Sequence, residues 1–334
     1  MLFRVGIDVR DDYYRVSRAR AQEIIQAAIL ADKAGAESFW SNEDVGRDTA
    51  MLLGIIAHST SQIKLGTAIE NIYAKTAMQI AMSFATIDEV SQGRAIVGLG
   101  SGHMRSIDRG HGVPLAHPID RMREYVEILN RAFTGERFAH DGKFFKGMDS
   151  RLNFFRPRHI PIFVAGHKPR MIQLAGEIAD GVMLNVWAPE CLRDIAIKNL
   201  EIGARRAGRA PEQVDVSCVV SCCVDEDEDV ALDLGREILF GGRYTPKKEF
   251  WPERYHRELD EIINVFNHDP SQARIMASDN LVRQIVNAGT PQQINKGLET
   301  YRAVGVKRVI LAPYPYGLES AEKLVKSIDQ WVFE

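Results

Sequence analysis

The chain alternates between short apolar strands and amphipathic helices along almost its whole length. Strands that are apolar on both faces are typical of parallel sheets covered on both sides. Eight strand-and-helix units predict a closed (β/α)8 TIM barrel, an α/β fold without sheet edges, as a single domain over residues 1–334. The alternative, a doubly wound sheet, would need two sheets or one unusually wide sheet. The predicted strands are Arg4–Asp8, Ser38–Ser41, Ile63–Ile72, Arg94–Gly98, Pro161–Ala165, Gly181–Val186, Val214–Val224 and Arg308–Ala312.

Three segments do not fit the repeating unit. Arg105–His117 is a polar loop after the fourth strand, and Gly241–Ser278 is an aromatic and charged insertion after the seventh. Gly135–His159 has the pattern of a small hairpin with Asp141-Gly142 as its turn. Long insertions on such barrels usually cover the active face, so we expect Arg105–His117 and Gly241–Ser278 to shape the substrate pocket.

Composition limits the function classes. The net charge is −3 with acids and bases interspersed, which predicts neither nucleic acid nor an anionic membrane as a partner. No apolar run approaches the length of about 18 residues that a membrane span needs. The N-terminus begins directly with a strand and lacks signal-peptide features, and the four cysteines lack disulfide or zinc spacing. The scattered histidines predict no metal site. These features predict a cytoplasmic protein.

Two loops at predicted strand ends have the composition of anion-binding turns. The fourth strand leads into Gly98, Gly100, Ser101, Gly102 and His103, where glycines can bare several backbone N–H groups. The spacing does not fit a dinucleotide fingerprint, because the third glycine comes one residue early and the turn follows the fourth strand. An ordinary strand-to-helix turn is the alternative interpretation.

The second loop follows the fifth strand. It comprises Ala165, Gly166, His167 and Lys168, and Pro169 then begins a helix. A lysine directly before a helix N-terminus suits an anion. Two such loops on neighbouring strands fit a phosphorylated cofactor, although a plain turn with a solvated Lys168 would explain the second loop as well.

Carboxylates close the first two predicted strands. Asp8 and Glu43 could face one another across the mouth of a barrel, and a pair of carboxyls with different pKa values is suited to proton transfer. Asn42 precedes Glu43 at the same strand end. Alternatively, Glu43 only begins the following helix, where negative charge suits the helix dipole.

Several stretches together resemble one family. The chain is similar to the bacterial luciferase-like superfamily of TIM barrels and, within it, to the branch that uses the deazaflavin coenzyme F420, especially the methylenetetrahydromethanopterin reductases. The resemblance covers nearly the whole chain. It is carried by Ile63–Tyr73, Ile87–Gly102, Ile160–Gly166, Leu174–Gly181 and Val220–Asp227.

The resemblance implies a set of site residues. A non-prolyl cis peptide that supports the deazaflavin ring would fall at Ala68-Ile69, with Asn71 following it. The cofactor's phosphate and tail would contact 98–103 and 165–168, and Asp8 would be a proton donor near the substrate. Two departures stand out: the reductases have Glu at the position of Asp8, and the family often has Asp-His at the position of Asn42-Glu43, which shapes the substrate side.

Three functions follow as hypotheses. The first is an F420-dependent oxidoreductase that transfers hydride between the deazaflavin and an organic substrate, methylenetetrahydromethanopterin or an alcohol among them. The second is an FMN-dependent monooxygenase of the same superfamily, and the third is a barrel that binds flavin without catalysis. The acidic tail of F420 would favour nearby cations, which FMN would not require. The candidate cations are His103, Arg105, Arg109, Lys168 and Arg170.

The resemblance also implies a homodimer or a higher homo-oligomer.

Overall fold

The computed structural model describes residues 3–9, 20–43, 46–102, 105–154, 158–240 and 247–333. Every structural statement below concerns this part of the chain. His103 lies outside the described residues, as do 241–246 of the predicted second insertion.

The strands and helices alternate as the sequence predicts. The strands are β1 (Phe3–Asp8), β2 (Ser38–Ser41), β3 (Lys64–Thr67), β4 (Glu70–Asn71), β5 (Ala95–Gly100), β6 (Phe138–His140), β7 (Met148–Ser150), β8 (Ile162–Ala165), β9 (Gly181–Asn185), β10 (Asp215–Val224), β11 (Asn287–Gly289), β12 (Arg308–Pro313) and β13 (Val332–Phe333). The α-helices are α1 (Ala21–Lys33), α2 (Thr49–Ser59), α3 (Ala77–Ser91), α4 (Pro118–Ala132), α5 (Pro169–Ile178), α6 (Pro189–Cys191), α7 (Lys198–Arg206), α8 (Glu228–Phe240), α9 (His256–Phe266), α10 (Pro270–Met276), α11 (Asp279–Val282), α12 (Pro291–Ala303) and α13 (Leu318–Ser327). None of the described helices is long and apolar enough to cross a membrane.

Eight parallel strands form the predicted TIM barrel, with helices around it. They are β1, β2, β3, β5, β8, β9, β10 and β12, and each coincides with a strand predicted from the sequence. The predicted end of the fourth strand at Gly98 is wrong, because β5 continues to Gly100.

The chain divides into two compact units. The first unit comprises Met1–Glu37, Leu184–Lys198 and Val216–Glu334, and the second comprises Ser38–Met183 and Asn199–Asp215. The single domain expected over residues 1–334 stays a prediction.

In the first unit, β12 lies parallel to both β1 and β10. Val5 pairs with Val309, and Cys218 pairs with the same residue from the other side. All three side chains are buried, as a strand covered on both faces requires. Arg308 begins β12 inside this core, where its guanidinium forms an ion pair with Glu37 at 3.0 Å.

All four cysteines are buried and unpaired with one another, as the sequence predicts. Burial raises the pKa of Cys191 to about 11 and raises the pKa of Cys218, Cys222 and Cys223 as well. These thiols therefore stay protonated and pack as small apolar groups.

In the second unit, side-chain caps set the helix starts that position the strands. Asp48 accepts a hydrogen bond from the Met51 amide at the start of α2, and Thr76 accepts one from Gln79 at the start of α3. Gly93 ends the turn after α3 with a φ of 98°, a conformation that favours glycine.

The predicted hairpin is present in the second unit, but its turn is not. β6 and β7 pair antiparallel, with Phe138 opposite Ser150 and His140 opposite Met148. The connection from Asp141 to Gly147 replaces the predicted two-residue Asp141-Gly142 turn. It is closed by side-chain capping, because Glu124 of α4 accepts hydrogen bonds from the amides of 143–145. The sequence signal for a tight turn did not include this distant carboxylate.

Glycines on the strands of the second unit make room for neighbouring groups. Gly66 lies against the indole of Trp40, which a Cβ would approach to 2.4 Å. Gly98 lies against β3, where the Thr67 hydroxyl donates to the Gly98 carbonyl at 2.9 Å and accepts from its N–H at 3.1 Å. A Cβ on Gly98 would lie 1.8 Å from the Thr67 carbonyl oxygen, so β3 and β5 approach too closely there for any side chain.

We expect Gly98→Ala to lower the free energy of unfolding by about 3 kcal/mol, because backbone atoms would have to move to admit the methyl group. Gly54→Ala in α2 is the matched control, since a Cβ at Gly54 meets nothing within 4 Å. That control should stabilise the protein by up to about 1 kcal/mol through helix propensity. Urea unfolding measures both variants, and similar effects of the two substitutions would contradict this account.

Candidate active site

The central feature of the site is a bulge between β3 and β4 in the second unit. The Ala68-Ile69 peptide bond is cis, which confirms the position implied by the family resemblance. The Ala68 amide donates to the Ser41 carbonyl at the end of β2, and the Ile69 carbonyl accepts from the Glu43 amide at 3.3 Å. Ala68 and Ile69 are half-buried. The bulge thus presents two accessible residues and is fastened by backbone bonds to the neighbouring strand end.

β4 carries the chain from the bulge alongside β5. Glu70 pairs with Leu99 and Asn71 with Gly100, and both of the β4 side chains are buried. The Asn71 amide oxygen accepts from the Tyr73 amide at 2.7 Å. This bond shapes the turn that leads to α3.

The glycine-rich segment divides into a packed part and an open part. Gly98 and Gly100 lie within β5, and a Cβ on Gly100 would lie 2.6 Å from the side chain of Ile69. Ser101 is half-buried and Gly102 is exposed with a φ of 67°. Glycine at 98 and 100 therefore serves close packing against the bulge, while 101–102 form the accessible part of the loop.

The second loop lies at the end of β8. The Gly166 amide donates to the Met183 carbonyl at 3.2 Å, so this residue is held against β9. Ala165 is half-buried, and His167 and Lys168 are exposed. Lys168 is the N-cap residue of α5, where Pro169 occupies the first turn. An exposed cation at an accessible helix N-terminus is suited to an anionic group.

A cluster of carboxylates around one lysine lies beside the bulge. The Lys75 ammonium contacts Glu43 Oε2 at 2.5 Å, Glu70 Oε2 at 3.2 Å and Asp48 Oδ2 at 3.6 Å. The side chains of Glu43 and Glu70 are 7% and 0% exposed, whereas Asp48 is 51% exposed. Glu70 Oε1 has no hydrogen-bond partner among the described residues. One ammonium thus faces two carboxyl groups away from water.

Burial and the neighbouring Glu43 charge raise the pKa of Glu70 from 4.5, Lys75 opposes both effects, and the net value is about 8. Glu70 therefore carries a proton at neutral pH. Burial lowers the pKa of Lys75, but the surrounding carboxylates outweigh it and the net shift is upward. Tyr125 donates to the Lys75 carbonyl at 2.9 Å, and burial raises the pKa of its hydroxyl.

Glu70 and Lys75 were not among the predicted site residues. The available signal was a single acid in the apolar run 68–73, followed five residues later by a lysine. Glu43 belongs to the cluster, but the alternative that it begins the helix is wrong, because α2 begins at Thr49 with Asp48 as its cap. The carbonyl of Asn42 accepts from the Thr49 hydroxyl at 2.7 Å.

Asp8 lies in the first unit, where it ends β1 with a fully buried side chain. A carboxyl at the carboxyl end of a TIM-barrel strand lies where such proteins place reactive groups. In the described part of the chain, no group of three or more His, Cys, Asp or Glu residues is arranged to hold a metal ion.

The fold is that of a TIM-barrel protein, with a cis-peptide bulge among its polar strand ends. The chain belongs to the luciferase-like monooxygenase family, whose family model matches residues 2–308.

Two relatives and one solved structure are similar to this chain. It is 32% identical over 218 residues to the 5,10-methylenetetrahydromethanopterin reductase of Methanolobus tindarius, covering 65% of this chain and 66% of the relative, just under two thirds of its length. It is 25% identical over 318 residues to a putative coenzyme F420-dependent oxidoreductase of Mycobacterium tuberculosis, covering 87% and 90%. The fold matches the solved coenzyme F420-dependent tetrahydromethanopterin reductase of Methanopyrus kandleri with a TM-score of 0.81 at 24% identity, covering 98% of both chains.

We expect the Glu70→Gln substitution to stabilise the protein in a pH-dependent way. In the unfolded chain Glu70 ionises above pH 4.5, whereas in the folded protein it keeps its proton until about pH 8. The wild type therefore loses stability relative to the glutamine variant as the pH rises between these values, by at most about 1.4 kcal/mol per pH unit. Urea unfolding from pH 4 to pH 8.5 measures this difference.

The matched control is Glu89→Gln, which replaces an exposed glutamate on α3. It should change the free energy of unfolding only slightly, because this side chain is exposed. A Glu70→Gln difference that stayed constant across the range would contradict the assignment of a buried, protonated Glu70.

Proposed function

We propose that the protein is a coenzyme F420-dependent oxidoreductase that transfers hydride between the deazaflavin and an organic substrate. The observation that carries this proposal is the half-buried Ala68-Ile69 bulge, which backbone hydrogen bonds fasten to the end of β2. The relatives described as F420-dependent and as methylenetetrahydromethanopterin reductases support the cofactor and the substrate class.

The described residues fit such a cofactor. Ala68 and Ile69 offer an apolar support for a flat ring, and Asn71, Ser101 and Gly102 lie next to it on β4 and the end of β5. Gly166 and the exposed side chains of His167 and Lys168 stand at the second loop. We assign the ring to the bulge and the anionic tail to 165–168, with Arg170 as a further exposed cation. F420 supplies hydride transfer without oxygen chemistry.

The protein's own contributions are orientation, exclusion of water and control of protons. Glu70 holds a proton beside the bulge at neutral pH, and the Lys75 ammonium forms an ion pair with Glu43 next to it. We assign Asp8 as the proton donor to the substrate, and Asn42 and Glu43 to the wall on the substrate side. A methylenetetrahydromethanopterin-like compound is the first substrate to test.

Titration of the purified protein with F420 and separately with FMN, followed by fluorescence, tests the cofactor. We expect saturable binding of F420 at micromolar concentration and much weaker binding of FMN. Lys168→Gln should weaken F420 binding by about tenfold, because a charge-assisted contact to the acidic tail is lost. Lys33→Gln, at the exposed end of α1, is the control and should bind F420 like the wild type. Tighter binding of FMN than of F420 would instead favour a flavin-dependent monooxygenase.

Asp8→Asn should reduce kcat for F420-linked reduction by about 100-fold or more, since it removes a general acid. The affinity for F420 should change by less than about twofold, because the proposal gives Asp8 no contact with the cofactor. Asp329→Asn, on the exposed surface, serves as the control. A parallel loss of turnover and cofactor affinity in Asp8→Asn would refute this role.

A further inference from the structure

A cavity of about 280 Å³ in the first unit lies outside the residues assigned to the candidate site. It is enclosed by the segment that leads into β11 and by one face of α12. Gly297 allows the two elements to approach, because a Cβ there would lie 2.1 Å from Asn287 Oδ1. Asn287 in turn donates to the Ile294 carbonyl at 3.0 Å, which locks the strand against the helix. The cavity wall is therefore a fixed part of the fold.

Tyr301 lines this cavity and is 4% exposed. Its hydroxyl makes no hydrogen bond with any residue that the structure describes. Burial, together with the nearby Cys218 and Cys222, raises the pKa of Tyr301 far above its ordinary value, so the hydroxyl is protonated at neutral pH. An acceptor group within the cavity that Tyr301 lines is suited to receive a hydrogen bond from this hydroxyl.

The charge of the cavity lining is positive. Arg283 and Lys296 line it, and none of the residues lining it is acidic. Arg283 is held in place by Glu228 and by the Ala288 carbonyl, to which it donates at 3.2 Å. The exposed Lys296 has no ion pair with any described carboxylate. The unbalanced charge at the cavity is thus the Lys296 ammonium, and the hydroxyl-bearing Thr300 and Tyr301 line the same cavity.

We propose that this cavity binds a small molecule through an oxyanion, a phosphate or a carboxylate group, held by Lys296 and by the hydroxyl of Tyr301. An ammonium and a protonated hydroxyl are donors without competing acceptor charge, which is the arrangement that an oxyanion requires. The volume is near the lower end of the range for small-molecule sites, which selects a ligand of few atoms beyond the anionic group. This assignment does not rest on the proposed oxidoreductase function.

Isothermal titration of the full chain with inorganic phosphate, and separately with succinate, at constant ionic strength tests the proposal. We expect saturable binding at one site for at least one of the two probes. Binding of phosphate alone identifies a phosphorylated ligand and binding of succinate alone a carboxylate, and either result supports the site. Tyr301→Phe and Lys296→Gln should each weaken binding by about tenfold. Because the Tyr301 hydroxyl bonds to no described residue, the phenylalanine variant should keep the wild-type melting temperature.

Two control variants locate the anion. Lys33→Gln changes an exposed lysine of the same unit, and Lys168→Gln changes the loop assigned to the cofactor tail. Lys33→Gln should bind the probe like the wild type, and Lys168→Gln should leave unchanged the binding that depends on Lys296 and Tyr301. Loss of binding in Lys168→Gln with no effect of Lys296→Gln would place the anion at the cofactor loop and overturn the proposal. If neither probe showed saturable binding, the proposal would also be overturned, and the cavity would be a solvent-filled space.

Discussion

The close approach of Thr67 to Gly98 is the constraint on which the candidate site depends. One hydroxyl both donates to the Gly98 carbonyl and accepts from its amide, and the missing Cβ lets the two backbones meet. The chain leaving β3 is thereby fixed at the point where the Ala68-Ile69 bulge begins. Glu70 and Asn71 then follow in register with β5. Packing between two strands thus decides where the ligand-accessible and the ionisable residues lie.

The bulge has an electrostatic consequence for the second unit. It buries Glu70 next to Glu43, and a single ammonium on Lys75 can balance only one of the two carboxylates at full strength. Ionising both would leave a buried negative charge without a counter-ion, which costs more than keeping one proton. The proton resides on Glu70, the more deeply buried of the two. The folded protein therefore keeps a proton on Glu70 beside the bulge. The described ion-pair partners of Lys75 are all carboxylates.

The sequence was sufficient for the barrel because each of its strands is an apolar run with a helix behind it. The sequence did not predict the features that depend on contacts between residues far apart in the chain. The turn of the β6–β7 hairpin is set by Glu124, and Glu43 meets Lys75 from 32 residues away. No local pattern contains such pairs. The cis peptide was placed correctly by resemblance to a family, since nothing in the residues Ala68 and Ile69 themselves favours it.

The glycines of the glycine-rich segment have a different physical cause from the one that the sequence predicted. Glycines were interpreted as exposing backbone donors, yet Gly98 and Gly100 are buried within β5, where they admit Thr67 and Ile69. Within the described residues only 101–102 remain accessible in this loop. The anionic tail of the proposed cofactor would therefore need its counter-charge elsewhere, and the exposed Lys168 at the start of α5 is suited to that role. In the proposed function, anion recognition thus rests on a side-chain cation and a helix N-terminus more than on glycine backbone.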